Sequence, residues 1–426
     1  MTAAELAVLR KRAELDIENA LTIAQEVITE IKLRGDDAVV EYVRKFDYPE
    51  ATAETLKVTE AEFEQAEKDV DLDLRKAIEL AYGNILEVHQ RQMPEEIQLS
   101  EVRPGVFAGE KVTPIASAGL YVPRGKGAFP SVMLMLAVPT QVAKVPHVVV
   151  CTPPDRQGKV EPASLVAARM AGVENVYKLG GIQAISSMAI GTQSIPKIDK
   201  ITGPCNVYGS AAKRLLYGLV DVGLPAGPSE SIILADEYTD PRIAALDLLV
   251  EAEHGPESAA LLVTHSESLA NAVAKYATEY MEQLPPWRKD FCEKGLSSYG
   301  GILLTDSVQA SIDFINEYAP EHLEVLLQDP LSVLGKIKNA GEILLGPYTP
   351  IPTANYCIGV NAILPTGGFA RSYSAVSVFD FLKRTGIGYL TKEGFDRLKD
   401  ATQLLAEYEG FSAHAMAIRE RNHLLK

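Results

Sequence analysis

Between Val145 and Leu345 short β-branched apolar runs alternate with stretches whose apolar residues recur at helical spacing, and this alternation constrains the chain more than any other feature. The first series reads VVVCTPP, SLVAARMAG, NVYKLGG, IQAISSMAIG, KIDKITGP and NVYGSAAKRLLYG. Continuous apolar strands need a sheet covered on both faces, and parallel neighbours need crossover connections, which are right-handed and usually helical. A second series follows the turn-rich 223-GLPAGPSE-230: SIILADE, a helix through Ala244 to Glu253, AALLVTHS, a long helix to about Glu282, GGILLTDS, another helix, HLEVLL and EILLG. Two α/β halves with parallel sheets are expected, separated at residues 223–230 and, on the near side, around Tyr121-Val122-Pro123-Arg124-Gly125. Upstream, from Ala3 to roughly Arg44, the spacing predicts helix, with Gly35 ending one segment before Asp36 and Asp37 open the next.

Length and charge exclude several classes. At 426 residues the chain exceeds what one core organises, so more than one packed domain is expected. Its net charge of −16 has the wrong sign for a protein that neutralises phosphate backbones, so nucleic acid is not an expected partner. No signal peptide is read at the start, and the longest apolar stretch, Ser131 to Val150, is broken by Pro139, Lys144, Pro146 and His147; no membrane association and a cytoplasmic location are expected. Cys151, Cys205, Cys292 and Cys357 form no C-x-x-C pair, which argues against a disulfide framework and a thiolate zinc site.

Three constellations have the residue types that chemistry requires. In 251-EAEHGPES-258, Glu251 and His254 stand three apart at the end of a helix stopped by Gly255-Pro256, so a carboxylate and an imidazole share one face; spacing alone fits a capping His equally well. In 316-NEYAPEHLEV-325, Glu321 and His322 are adjacent in the turn before a strand, where both can reach one cavity, and a carboxylate beside an imidazole suits acid/base catalysis; an exposed turn is the plainer reading. The tail 409-EGFSAHAMAI-418 adds Glu409 and His414 and by itself says little. No G-x-G-x-x-G or P-loop occurs. Arg124 and Lys126, at the turn 124-RGKG-127, are candidates for an anionic group or for plain solvation.

Taken together, 119-GLYVP-123, 180-GGIQAI-185, 202-TGPCNVY-208, 226-AGPSE-230, 251-EAEHGP-256, 318-YAPEHLE-324, 359-GVNAILPTGG-368 and 409-EGFSAH-414 resemble the ordered signature blocks of the histidinol dehydrogenase family. The resemblance implies an α/β fold of two incomplete Rossmann-like parallel-sheet domains, with a helical N-terminal arm, a C-terminal tail and an intertwined homodimer. It further implies oxidation of an alcohol through an aldehyde to a carboxylate with NAD at a zinc site. By position, Tyr121, Gln183 and Asn206 match cofactor contacts, and Ser229 and Glu409 substrate contacts. Glu321 and His322 match the acid/base pair, and His254 and His414 two zinc ligands. The resemblance divides the chain into an arm (1–30), a discontinuous catalytic domain (31–120 and 231–375), a cofactor-side domain (121–230) and a helical tail at the partner contact (376–426).

The chain departs from the family pattern at Glu251 (a Gln ligand in the family), Asn355 (an Asp ligand), Cys205 (a Gly) and Ala362, which follows Asn361 in the substrate-contacting pair in place of a His. The metal set expected here is therefore Glu251, His254, Asn355 and His414, with Asn361 and Ala362 on the substrate side. Moving the carboxylate while keeping the ligand charge favours a small alcohol other than L-histidinol. An authentic L-histidinol dehydrogenase and a catalytically retired binding protein are the alternatives.

Overall fold

The computed structural model describes residues 17–124 and 127–425, which form two compact units: one from the described residues before 93 together with 116–381, the other from 93–115 with 382–425. Among the described residues no helix is long and apolar enough to cross a membrane.

The smaller unit is an antiparallel sheet of β1 (Ile97–Arg103), β2 (Val106–Pro114) and β12 (Leu382–Leu390), with β2 in the middle, followed by helices Lys392–Tyr408 and Ser412–Leu424. Sequence reading gave this tail as helical throughout. β12 carried no signal because it is largely exposed on both faces, as is β1, so neither alternates apolar with polar.

In the larger unit the first sheet is wholly parallel, in the order β5 (Val176–Lys178), β4 (His147–Thr152), β3 (Ser117–Tyr121), β6 (Lys200–Thr202). This is the strand order of one half of a Rossmann-type sheet, stopping after four strands and reversing at β3. The second sheet, also parallel, runs β11 (Glu342–Leu345), β10 (His322–Leu326), β7 (Glu230–Ala235), β8 (Ala259–Thr264), β9 (Gly301–Leu304) and reverses between β7 and β10. The crossover helices start as their sequences dictate: Pro130, Pro162 and Pro241 stand in first turns, where the missing N–H costs nothing. Asp240 caps the helix Pro241–Ala252 by accepting from Arg242 N.

The divisions of the larger unit differ from those expected. Helices Ile17–Arg34 and Asp36–Phe46 belong to the core of the first sheet, not to a separate arm or to the second sheet's domain: Ala24, Val27, Ile28 and Ile31 share one apolar cluster with Tyr121, Val149, Ile182 and Ala211. Burying Val27, Ile28 and Ile31 contributes roughly 5–9 kcal/mol before conformational entropy is subtracted, part of what fixes the segment against the sheet. Residues before 17 lie outside the described residues. Gly35 separates the two helices at φ 57°, a backbone conformation that suits glycine.

Candidate active site

The catalytic candidates gather at the amino ends of β7 and β10. Parallel pairing sets His322 opposite Ser231 on one side and Glu342 on the other. Glu321, one residue earlier, is pinned by Glu230 N, which donates to its Oε2 at 2.9 Å. Glu230 in turn accepts from Gly367 N at 2.9 Å. From the facing helix Pro241–Ala252, Glu251 enters fully buried, and His254 follows just beyond the helix end. His254 Nδ1 lies 2.8 Å from Glu251 Oε2 and 3.0 Å from Ser229 Oγ. His322 Nε2 lies 3.8 Å from Glu321 Oε1 and 4.0 Å from Glu251 Oε1, while its Nδ1 lies 2.5 Å from Glu342 Oε1.

So many ionisable groups in so little water shift one another strongly. Burial opposes ionisation of Glu251, yet His254, His322 and Ser229 outweigh it and draw the carboxyl down to about 2. Burial pushes Glu321 up to about 8 against the pull of His322. For His322 burial disfavours the cation, but Glu321, Glu251 and Glu342 overcome it and raise the imidazole to about 10. His254 is raised by Glu251. Deeper along the same two elements lie Glu324, two residues beyond His322, and Asp247, one turn before Glu251. Glu324 is completely buried and neither of its carboxyl oxygens has a hydrogen-bond partner; burial and then Asp247 push it up to about 9. Burial raises Asp247 to about 6.

A cavity of about 420 Å³ joins Ser229, Glu251, His254, Glu321, His322, Asn355 and Ala362. Among the described residues no group of three or more His, Cys, Asp or Glu side chains is arranged to hold a metal ion. Here two such side chains, Glu251 and His254, share the cavity wall with Asn355. These donors fit a divalent cation: both Glu251 oxygens are buried, one of them 2.8 Å from the His254 imidazole, and zinc accepts this mixture of nitrogen and oxygen.

A second cavity, about 960 Å³, opens at the carboxyl ends of the first sheet, where open α/β sheets bind ligands. Tyr121, Arg124, Gln183 and Asn206 all line it. Tyr121 Oη accepts from Gly181 N at 3.0 Å, and Asn206 Oδ1 caps the helix Val207–Leu216 by accepting from Tyr208 N and Gly209 N. Gly203, between these walls, has φ 126°, and a Cβ there would stand 2.1 Å from Tyr121 O, so only glycine allows this approach. Asn206 and Cys205 also border a cleft of about 310 Å³ whose far wall includes Ser229 and His254, so the cleft spans from the larger cavity to the catalytic cluster. Arg124 Nη1 donates to Lys159 O at 3.0 Å, and Lys126 lies outside the described residues.

Not every expected residue joins these cavities. Asn361 is buried, donates to Met135 O at 2.7 Å and accepts from Ile363 N at 3.0 Å, so its amide braces the loop, while its neighbour Ala362 faces the cavity. Glu409 and His414 belong to the smaller unit, where Glu409 follows the helix Lys392–Tyr408 and the His414 ring lies 5.1 Å from that of Phe411. Sequence reasoning missed Glu342, which it saw only as the start of a strand; pairing EILL with HLEVL in parallel would have set it beside His322. It also missed Asp47, whose Oδ2 accepts from Gly180 N at 3.2 Å and from Gln183 Nε2 at 3.0 Å and so fixes a wall of the larger cavity.

Two truncated dinucleotide-type sheets, one presenting a large cavity and the other a buried carboxylate–imidazole cluster, define the class: an α/β protein with a candidate active site suited to acid/base chemistry. A family model described as histidinol dehydrogenase matches residues 10–422, and the chain belongs to that family. It is 66% identical over 425 residues to a Synechocystis sp. protein named histidinol dehydrogenase, covering 100% of this chain and 98% of that one. It is 49% identical over 420 residues to a Cereibacter sphaeroides protein named histidinol dehydrogenase homolog, covering 98% and 95%. The crystal structure of histidinol dehydrogenase from Elizabethkingia anophelis superposes with a TM-score of 0.95 at 35% identity, covering 100% of this chain and 97% of that one.

Proposed function

We propose that this chain oxidises L-histidinol through the aldehyde to L-histidine, with two NAD and one water consumed per turnover. The single observation that carries this reading is the convergence of Ser229, Glu251, His254, Glu321 and His322 on one cavity. The 66% identity to the Synechocystis protein of that name supports histidinol over another alcohol. Tyr121, Gln183 and Asn206 would hold NAD, which would supply the hydride acceptor for each oxidation, and Glu251, His254 and Asn355 would hold a divalent cation, taken as zinc, which would supply positive charge to the site.

The chain's own groups divide the proton handling. His322 Nε2, turned toward Glu321 and Glu251, takes the hydroxyl proton as the first hydride leaves, in the metal-loaded form, in which a cation on Glu251 would offset the carboxylates that otherwise keep the imidazole protonated; Glu321, held by Glu230 N, takes a proton from the water that attacks the aldehyde. Ser229, on the far side of His254, orients the substrate. We further take His414 of the partner subunit as the fourth metal donor and Glu409 of the partner subunit as a substrate contact in a homodimer. Leu404, Leu405, Tyr408, Phe411 and Met416, all exposed on the helices of the smaller unit, give that dimer an apolar face.

A different small alcohol is the second reading, carried by Ala362 and Asn355 in the cavity wall. Loss of a buried polar partner commonly forfeits about 1–3 kcal/mol of discrimination. NADH formation by the metal-loaded protein decides between them: kcat/KM for L-histidinol at or above about 10⁴ M⁻¹s⁻¹ supports the proposal. A much lower value with brisk oxidation of another alcohol would establish the second reading, and no NADH from any alcohol would leave a retired binding protein.

A further inference from the structure

The geometry points to Glu342 as the positioning residue of the catalytic histidine: its carboxylate receives the His322 Nδ1 proton and thereby fixes the ring with Nε2 presented to Glu321 and the cavity. This rests on the reading of His322 as the base of the dehydrogenase.

Three observations carry it. Parallel pairing of β10 with β11 places Glu342 directly opposite His322, and the Glu342 amide donates to Glu321 O at 3.0 Å, so the two catalytic residues and Glu342 are set by one stretch of ladder. The contact is the closest that His322 makes to any carboxylate: Nδ1 lies 2.5 Å from Glu342 Oε1, against 3.8 Å and 4.0 Å for Nε2 to Glu321 and Glu251. Finally, the Glu342 side chain is 7% exposed and its other oxygen, Oε2, is buried with no hydrogen-bond partner. A buried carboxylate is costly unless paired, and here the imidazole is what pairs it.

An imidazole has two nitrogens, and the partner of one decides the state of the other. With Nδ1–H held by Glu342, the lone pair that accepts a proton is on Nε2, on the cavity side. Without Glu342 the ring is free to carry its proton on Nε2 or to turn, and a histidine in the wrong tautomer is a poor base even when its surroundings are intact. Glu342 touches neither substrate nor cofactor in this scheme; it acts through His322.

The test compares Glu342→Leu, which removes the acceptor, with Glu342→Gln, which keeps a neutral one, in the full-length metal-loaded protein. Ring-¹⁵N-labelled histidine, with His322 assigned by its loss in His322→Asn, reports the Nδ1 proton directly. The wild type is expected to show a far-downfield Nδ1 proton, which Glu342→Gln retains in weakened form and Glu342→Leu loses. In parallel, Glu342→Leu is expected to lower kcat for alcohol oxidation on the order of 10²-fold while KM changes less than about threefold, and Glu342→Gln to restore most of that loss. A wild-type spectrum with Nδ1 bare overturns the inference whether or not the variants fold. Unchanged kcat in a folded Glu342→Leu overturns it as well, and so does a matched fall in melting temperature and rise in KM with kcat intact, which is what a purely structural pair would give. A downfield Nδ1 proton in a protein that oxidises no alcohol would instead leave the pairing standing and remove the dehydrogenase reading.

Discussion

Glu324 makes the stability of this protein a function of pH in a way that one substitution isolates. Its carboxyl, wholly buried beside Asp247, is raised from an ordinary value of 4.5 to about 9, so between those limits the folded chain holds a proton that the unfolded chain has released. The associated stability is complete below pH 4.5 and is lost as pH rises through 9, at about 1.4 kcal/mol per pH unit for one proton. Asp247, raised to about 6, titrates at the lower edge of this range and, like Glu321 and His322, is present in both proteins. In Glu324→Gln the neutral shape is kept and this proton is gone. Between pH 6 and pH 8.5 the variant should therefore gain about 3 kcal/mol relative to wild type, by urea unfolding of the metal-free protein at matched ionic strength. Two curves that run parallel over that range would show that Glu324 ionises as an exposed carboxyl does and that the buried pair has been misjudged.

Three further outcomes are expected. His322→Asn should slow the alcohol half-reaction and Glu321→Gln mainly the aldehyde half-reaction, each by on the order of 10²–10⁴-fold, and equal small losses in both assays would remove the division of labour. Metal reconstitution of the wild type should approach one ion per chain by elemental analysis, with His254→Ala well below it, and a wild-type value under about one per three chains would count against the Glu251, His254 and Asn355 donor set. Mixing His322→Asn with His414→Ala chains should recover part of the activity, because one site of a mixed dimer collects both native residues; no recovery after verified subunit exchange would argue against a shared site.

The parallel sheets were readable because their strands are buried on both faces: HVVVCT, AALLVT and HLEVL are apolar runs bounded by turn residues, and burial of that kind leaves a local mark. β1 and β12 lie open to solvent and leave none. At the site, Glu251 with His254 and Glu321 with His322 were legible because each pair is close in sequence and differs in chemistry from its neighbours. Glu342 and Asp47 were not, since what matters about them is a register between strands and a contact with a helix far along the chain. Asn361 shows the converse: its place in a family block suggested substrate, and only the packing reveals that its amide holds Met135 and Ile363.

The two cavities sit at opposite ends of their sheets, and backbone dipoles make that difference electrical. At the carboxyl ends of the first sheet the helices Gly181–Ile190 and Val207–Leu216 begin, and helix starts carry the partial positive charge that suits the phosphates of a dinucleotide. At the amino ends of the second sheet the helices Pro241–Ala252 and Val308–Tyr318 finish, just before His254 and Glu321, and helix ends carry the opposite sign. The catalytic cavity thus lies in a negative backbone field, to which the Glu251 and Glu342 carboxylates add. Such a field attracts a metal ion or an amine-bearing substrate and stabilises the imidazolium that forms when His322 takes a proton. On the proposed function, an anionic cofactor and cationic chemistry would in this way be drawn to different rims before any side chain made contact with either.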